Sequence, residues 1–115
     1  MRLYRSSEAD WEEGKGYRKR LLISEAQLGI EGSFMQEVAF RPGESVPMHY
    51  HMRTKEVFLP LDEAVFVING ESVTIGPGDV LVCEPGDRHG NPVIHKPFRI
   101  LVLKVGFVPE DTVWL

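Results

Sequence analysis

From Phe34 onward the chain consists of short apolar runs separated by turn residues. Phe34–Phe40, Val46–His51, Glu56–Leu61, Ala64–Ile68, Glu71–Ile75 and Phe98–Val105 are each the length of a strand and rich in Val, Ile and Phe. Arg41-Pro42-Gly43, Gly76-Pro77-Gly78-Asp79 and Glu84-Pro85-Gly86-Asp87 supply the turns between them. Asn69-Gly70 predicts a tight hairpin joining Ala64–Ile68 to Glu71–Ile75, because a type I′ turn needs two residues at positive φ. Val80–Cys83 reads as a further strand, and Arg20–Ile23 as another before the main series. Asn91–Pro97 predicts a loop or broken strand, and Phe107–Leu115 a tail.

Eight or nine short strands turned at regular intervals predict an all-β sandwich or small barrel. Val65–Ile68 and Ile100–Leu103 are apolar on both faces, whereas a sheet with one wet face alternates more cleanly. One face is expected to meet the barrel interior and the other a second sheet or a second subunit, so a homodimer is the expectation. Residues 1–20 are the least regular: Ser6–Asp10 can cap one helical turn, and Gly14-Lys15-Gly16 reads as a loop.

The 115 residues suffice for one domain with one core. The net charge of −4 and the pI near 5.5 argue against a nucleic-acid partner, which needs a basic stripe. Arg18-Lys19-Arg20 is the only basic run and reads as a solvated strand edge. The single cysteine, Cys83, excludes an intrachain disulfide and reads as a small buried hydrophobe. No apolar stretch approaches the length of a membrane span, and the N-terminus has no apolar signal core, so a reducing, cytoplasmic setting is expected.

The chemistry concentrates in His49-Tyr50-His51, Glu56 and His89. On a strand His49 and His51 share a face and Tyr50 takes the other. Glu56 follows after a gap that allows the chain to bend back to the same face. Three imidazoles and a carboxylate suit Fe, Mn, Ni, Cu or Zn better than Ca or Mg. His95 reads as a loop histidine. Gln36, Met35, Phe58 and Phe66 are pocket candidates that strand parity alone does not sort. Trp11 and Trp114 lie near the two ends of the chain, where a tryptophan is expected to pack onto something, a partner subunit being one candidate.

At this point the sequence resembles a cupin. Gly43-Glu44-Ser45-Val46-Pro47-Met48-His49-Tyr50-His51-Met52-Arg53-Thr54-Lys55-Glu56 is similar to the first cupin motif up to its glutamate. Gly78-Asp79-Val80-Leu81-Val82-Cys83-Glu84-Pro85-Gly86-Asp87-Arg88-His89 is similar to the second, with Glu84 where that motif has proline. The glycine that closes the first motif is missing near Glu63, and Val93 holds the slot of the second motif's asparagine. The resemblance implies a double-stranded β-helix, or jelly-roll barrel, over residues 32–108. Residues 1–31 would then form an arm and first strand, and 109–115 a tail.

The resemblance also implies one divalent transition metal inside the barrel, held by His49, His51, Glu56 and His89, with two positions open. A metal-dependent enzyme acting on a small organic molecule is the leading expectation, with dioxygenase chemistry first. A sugar or phosphosugar isomerase, epimerase or lyase using the metal as a Lewis acid is the alternative, although no acid/base pair is visible in the sequence to favour it. A non-catalytic module binding a small ligand is the third reading.

Overall fold

The computed structural model describes residues 1–115. Eleven strands follow in chain order: β1 (Glu12–Glu13), β2 (Arg18–Ile23), β3 (Phe34–Phe40), β4 (Val46–His51), β5 (Lys55–Pro60), β6 (Ala64–Ile68), β7 (Glu71–Ile75), β8 (Leu81–Cys83), β9 (His89–Asn91), β10 (Phe98–Val105) and β11 (Thr112–Trp114). They form two antiparallel sheets, ordered β1-β2-β3-β10-β5-β8 and β11-β4-β9-β6-β7. The chain crosses repeatedly between the sheets, which face each other across one core, so the all-β fold expected from the strand pattern is observed in the jelly-roll form that the resemblance implied.

The central strands explain the doubly apolar runs. On β10, Phe98, Ile100 and Val102 are buried against Phe40, Val38, Phe58 and Phe66. Leu101 and Leu103 lie on the other face, opposite Glu37 and Met35 of β3 and Leu59 and Val57 of β5. Met35 therefore points away from the interior, whereas Gln36, Phe58 and Phe66 line it. Asn69 and Gly70 both have positive φ, as the β6–β7 hairpin requires. Asp87 and Asn69 tie the adjoining β8–β9 turn to that hairpin, with Asn69 Oδ1 accepting from the Arg88 amide at 2.9 Å.

Four readings of the sequence change. A short helix, α1 (Glu25–Leu28), was not expected; Ser24 and Gln27 cap each other's backbone and Gly29 ends it in the left-handed region. Arg18–Arg20 is not a solvated edge: β2 lies between β1 and β3, and Arg20 is 16% exposed and donates to Glu37 at 2.9 Å. The C-terminal segment is not a loose tail, since β11 pairs with β4. His89–Asn91, left in the sequence between the Glu84–Asp87 turn and a loop or broken strand from Asn91, is a strand paired with both β4 and β6. Short segments such as β9 and β11 carry too little apolar pattern to be recognised alone, and only pairing to a longer neighbour holds them in extended form. Both tryptophans pack within the chain: the Arg20 guanidinium lies over Trp11, and Trp114 lies against His49. No helix is long and apolar enough to cross a membrane.

Candidate metal centre

Strand register assembles the site from both sheets. In one, Trp114 of β11, His49 of β4 and His89 of β9 form a single cross-strand row, and Thr112 lies opposite His51 in the next. In the other, Cys83 of β8, Glu56 of β5 and Lys104 of β10 form a matching row. The two rows face each other through the core. β9 can lie so close to β4 because Gly90 has no side chain; a Cβ there would sit 2.6 Å from the Val46 carbonyl oxygen. Any larger residue would push His89 away from His49.

His49, His51, Glu56 and His89 are all buried, and one donor atom from each lies within 4.8 Å of all the others. The structure thus brings together all four residues singled out in the sequence, while His95 stays apart, exposed beside Lys96. His51 Nε2 and His89 Nε2 lie 2.7 and 2.9 Å from Glu56 Oε1, but only the His89 contact has hydrogen-bond geometry. The remote ring nitrogens are held: His49 Nδ1 lies 2.9 Å from the Pro47 carbonyl oxygen, and His89 Nδ1 lies 2.9 Å from that of Asp87. A carbonyl only accepts, so both Nδ1 atoms carry hydrogen and the Nε2 atoms of the neutral rings present lone pairs inward. A lone pair 2.9 Å from a carboxylate oxygen requires a cation between them, either a proton or a metal. His51 Nε2 is buried with no hydrogen-bond partner of acceptable geometry. An orphaned imidazole nitrogen, two oriented neighbours and one carboxylate fit a divalent transition metal.

The electrostatics reflect this crowding. Burial alone would raise the Glu56 carboxyl, but the His51 and His89 rings, with Lys104 beyond them, outweigh it and hold the group well below the usual carboxylate range. Burial pulls the His89 imidazole down, yet Glu56 and the Asp87 carbonyl raise it overall. His49 is lowered to about 4, chiefly by burial, with His89 adding to the effect and the Pro47 carbonyl opposing it. Cys83 is pushed up to about 12 by burial and then by Glu56 and Asp87, so it is an inert member of the core beside Glu56.

The cavity over these residues has a volume of about 110 Å³. Its apolar walls come from Val38, Phe40, Phe58, Phe66, Ile100 and Val102. Tyr17 and Lys104 also line it, and sequence reasoning missed both. Tyr17 follows a loop held by glycine: a Cβ on Gly16 would fall 1.8 Å from the Ser45 carbonyl oxygen, and one on Gly14 would strike the Tyr17 ring. The Gly14-Lys15-Gly16 loop therefore packs flat on the barrel and turns the Tyr17 ring inward against Phe40. Burial and then Glu56 raise the Tyr17 phenol. The alternation of β10 was readable and would have placed Lys104 on the same face as Val102 and Ile100, but only the fold puts it across from Glu56.

A cupin-domain family model matches residues 36–104, which include both histidine motifs. The chain belongs to the cupin family. Its barrel resembles that of a predicted oxalate decarboxylase from Thermotoga maritima, with a TM-score of 0.79 and 24% identity over 92% of this chain and 100% of that one. It also resembles the polyketide cyclase RemF of Streptomyces resistomycificus, with a TM-score of 0.75 and 23% identity over 96% of this cupin and 89% of RemF. In sequence it is 32% identical over 76 residues to the tetracenomycin polyketide synthase protein TcmJ of Streptomyces glaucescens, a match covering 65% of this chain. The match spans about half the length, 51%, of that curated relative.

Proposed function

We propose that this cupin is a metal-dependent enzyme that cleaves, cyclises or isomerises a small oxygenated molecule without net oxidation. His49, His51, Glu56 and His89 would hold one divalent transition metal. When bound, the metal supplies a Lewis acid able to polarise a carbonyl oxygen. The observation that carries this reading is the presence of two proton-bearing side chains, Tyr17 and Lys104, in the same cavity as the four candidate ligands. Elimination, cyclisation and isomerisation each need a proton removed at one atom and returned at another. Tyr17, its phenol raised and so kept protonated, can donate a hydrogen bond to a developing oxyanion, and Lys104 can hold that oxyanion by its charge.

This reading reverses the order expected from sequence, where dioxygenase chemistry led on ligand type and no acid/base pair was visible to favour isomerisation. Similarity in fold to a polyketide cyclase and to a predicted oxalate decarboxylase supports this reading. A two-fold dimer formed through the outer face of the six-stranded sheet completes the proposal.

The test is turnover of small carbonyl compounds, phenols and phosphosugars by the Zn and Fe forms, in air and under nitrogen. Equal rates under both gases, retained with zinc, are expected, together with a fall in kcat for Tyr17→Phe. Dependence on dioxygen would return the dioxygenase reading. Ligand-dependent stabilisation without turnover under either gas would identify a binding module instead.

A further inference from the structure

Among the residues lining the cavity, Glu56 is the only carboxylate and Lys104 the only lysine or arginine. Lys104 is 17% exposed, and its Nζ lies 3.7 Å from Glu56 Oε2. Its remaining described neighbours are two aromatic faces, Phe34 and Phe107, whose centroids lie 5.9 and 5.8 Å from Nζ. Those rings pack edge to face at 5.1 Å and fix the end of the side chain at the cavity wall. With Glu56 engaged by a divalent ion, the count is two positive charges from the ion, one negative from Glu56 and one positive from Lys104. Two positive charges then remain in a cavity otherwise lined by neutral side chains, and none of them supplies a counter-charge. Uncompensated charge in a poorly solvated site is costly, and an occupant of opposite charge relieves that cost.

We infer that the cavity selects a small organic anion, its carboxylate or enolate oxygen seated between the metal position and Lys104 and a flat apolar body against the aromatic wall. The inference rests on the metal reading above and adds the charge and shape of the ligand. The wall suits such a body: Phe58 and Phe66 pack at 5.0 Å, and Trp114, 44% exposed, stands beside His49 with its ring centroid 4.6 Å away. Lys15 Nζ sits 4.0 Å from the Trp114 ring centroid, adding a second cation near the mouth that favours approach of an anion.

The experiment uses full-length, zinc-loaded protein with benzoate and benzamide, which share a ring and differ in charge. Calorimetric titration should show benzoate binding at least about tenfold more tightly than benzamide, the usual scale for a charged hydrogen-bond partner. Lys104→Met should remove about tenfold of the benzoate affinity with zinc content unchanged, and Lys104→Arg should restore most of it. Folding of each variant is read from its far-ultraviolet spectrum and zinc content. Equal binding of the two probes, no binding of either, or an unchanged benzoate affinity in folded, loaded Lys104→Met would overturn the inference while leaving the metal reading intact. Failure of the wild type to take up any transition metal would overturn both.

Discussion

Thr112 Oγ1 lies 3.1 Å from His51 Nδ1, so the last strand of the chain holds a candidate metal ligand from behind. Of the three histidines, only His51 is braced by a side chain; His49 and His89 use backbone carbonyls. A backbone brace survives most substitutions, whereas this one depends on a hydroxyl. Thr112→Val keeps the shape and the β11–β4 pairing but removes the partner. Loss of such a brace commonly weakens metal affinity about 10–100-fold. Competition with a calibrated chelator should find that loss in Thr112→Val and near-normal affinity in Thr112→Ser. Equal affinities in all three proteins would mean that the contact does not orient the ring.

Removing a ligand itself should act more strongly. His51→Ala and His89→Ala should each lose most of the bound metal while the far-ultraviolet spectrum stays that of the wild type. The core cluster of Val38, Phe40, Phe58, Phe66, Ile100 and Val102 does not include the histidines, so the fold is expected to persist. Metal should raise wild-type stability by about 2.7 kcal/mol at a hundredfold excess over Kd, and should leave the variants unmoved. Full metal content in either variant would refute the ligand assignment.

How far the sequence reached follows from the range of each interaction. Period-two alternation and turn chemistry are local, so β3, β4, β6, β7 and β10 were readable within a residue or two. The pairing of His49 with His51 was readable because both lie on one strand. Bringing in Glu56 and His89 depended on motif spacing, and the fold places them as that spacing implies. Tyr17, Lys104, Thr112 and Trp114 were not legible as site residues. Lys104, Thr112 and Trp114 reach the cavity through pairings between strands distant in sequence, and Tyr17 through a glycine loop packed on the barrel; an isolated Thr or Lys on a strand looks like any solvated side chain. The arm that carries Trp11 was equally opaque, since its anchor is the Arg20–Glu37 pair formed across β2 and β3.

Asp111 gives a pH-dependent prediction away from the metal. Its carboxylate accepts from the Arg53 amide at 3.0 and 3.1 Å and from the Thr54 amide at 2.7 Å, closing the bend between β4 and β5. Burial would raise this carboxyl, but those amides lower it overall. A carboxyl whose folded pKa is depressed contributes stability above its unfolded pKa of 3.8 and loses it as pH falls through the lower folded value. Denaturant midpoints should therefore drop as pH goes below about 4. Asp111→Asn should flatten that part of the profile and cost about 1–3 kcal/mol at neutral pH, the scale for leaving buried amides poorly satisfied. An Asn variant with the wild-type profile would show that other carboxylates govern acid unfolding.

The proposed dimer is tested on the outer face of the six-stranded sheet. Val57, Leu59, Leu101, Leu103 and Met35 form a half-buried apolar stripe there, and Val82 extends it at 42% exposure. The stripe is bounded by opposite charges, with Arg99 near Glu37 and Asp62 at one end and Lys55 paired to Glu84 at the other. Such a face complements a second copy turned by a two-fold axis, the arrangement that closes on itself without forming a filament. A standard interface takes about 800 Å² from each partner. Against a total surface of 6947 Å², that area can be supplied by one sheet face. Sedimentation at tens of micromolar, a range that detects ordinary stable association, should give a dimer. Leu103→Glu should give a monomer that still binds metal, because this side chain points away from the cavity. A wild-type monomer at that concentration would sink the dimer, and a Leu103→Glu dimer would place its interface elsewhere.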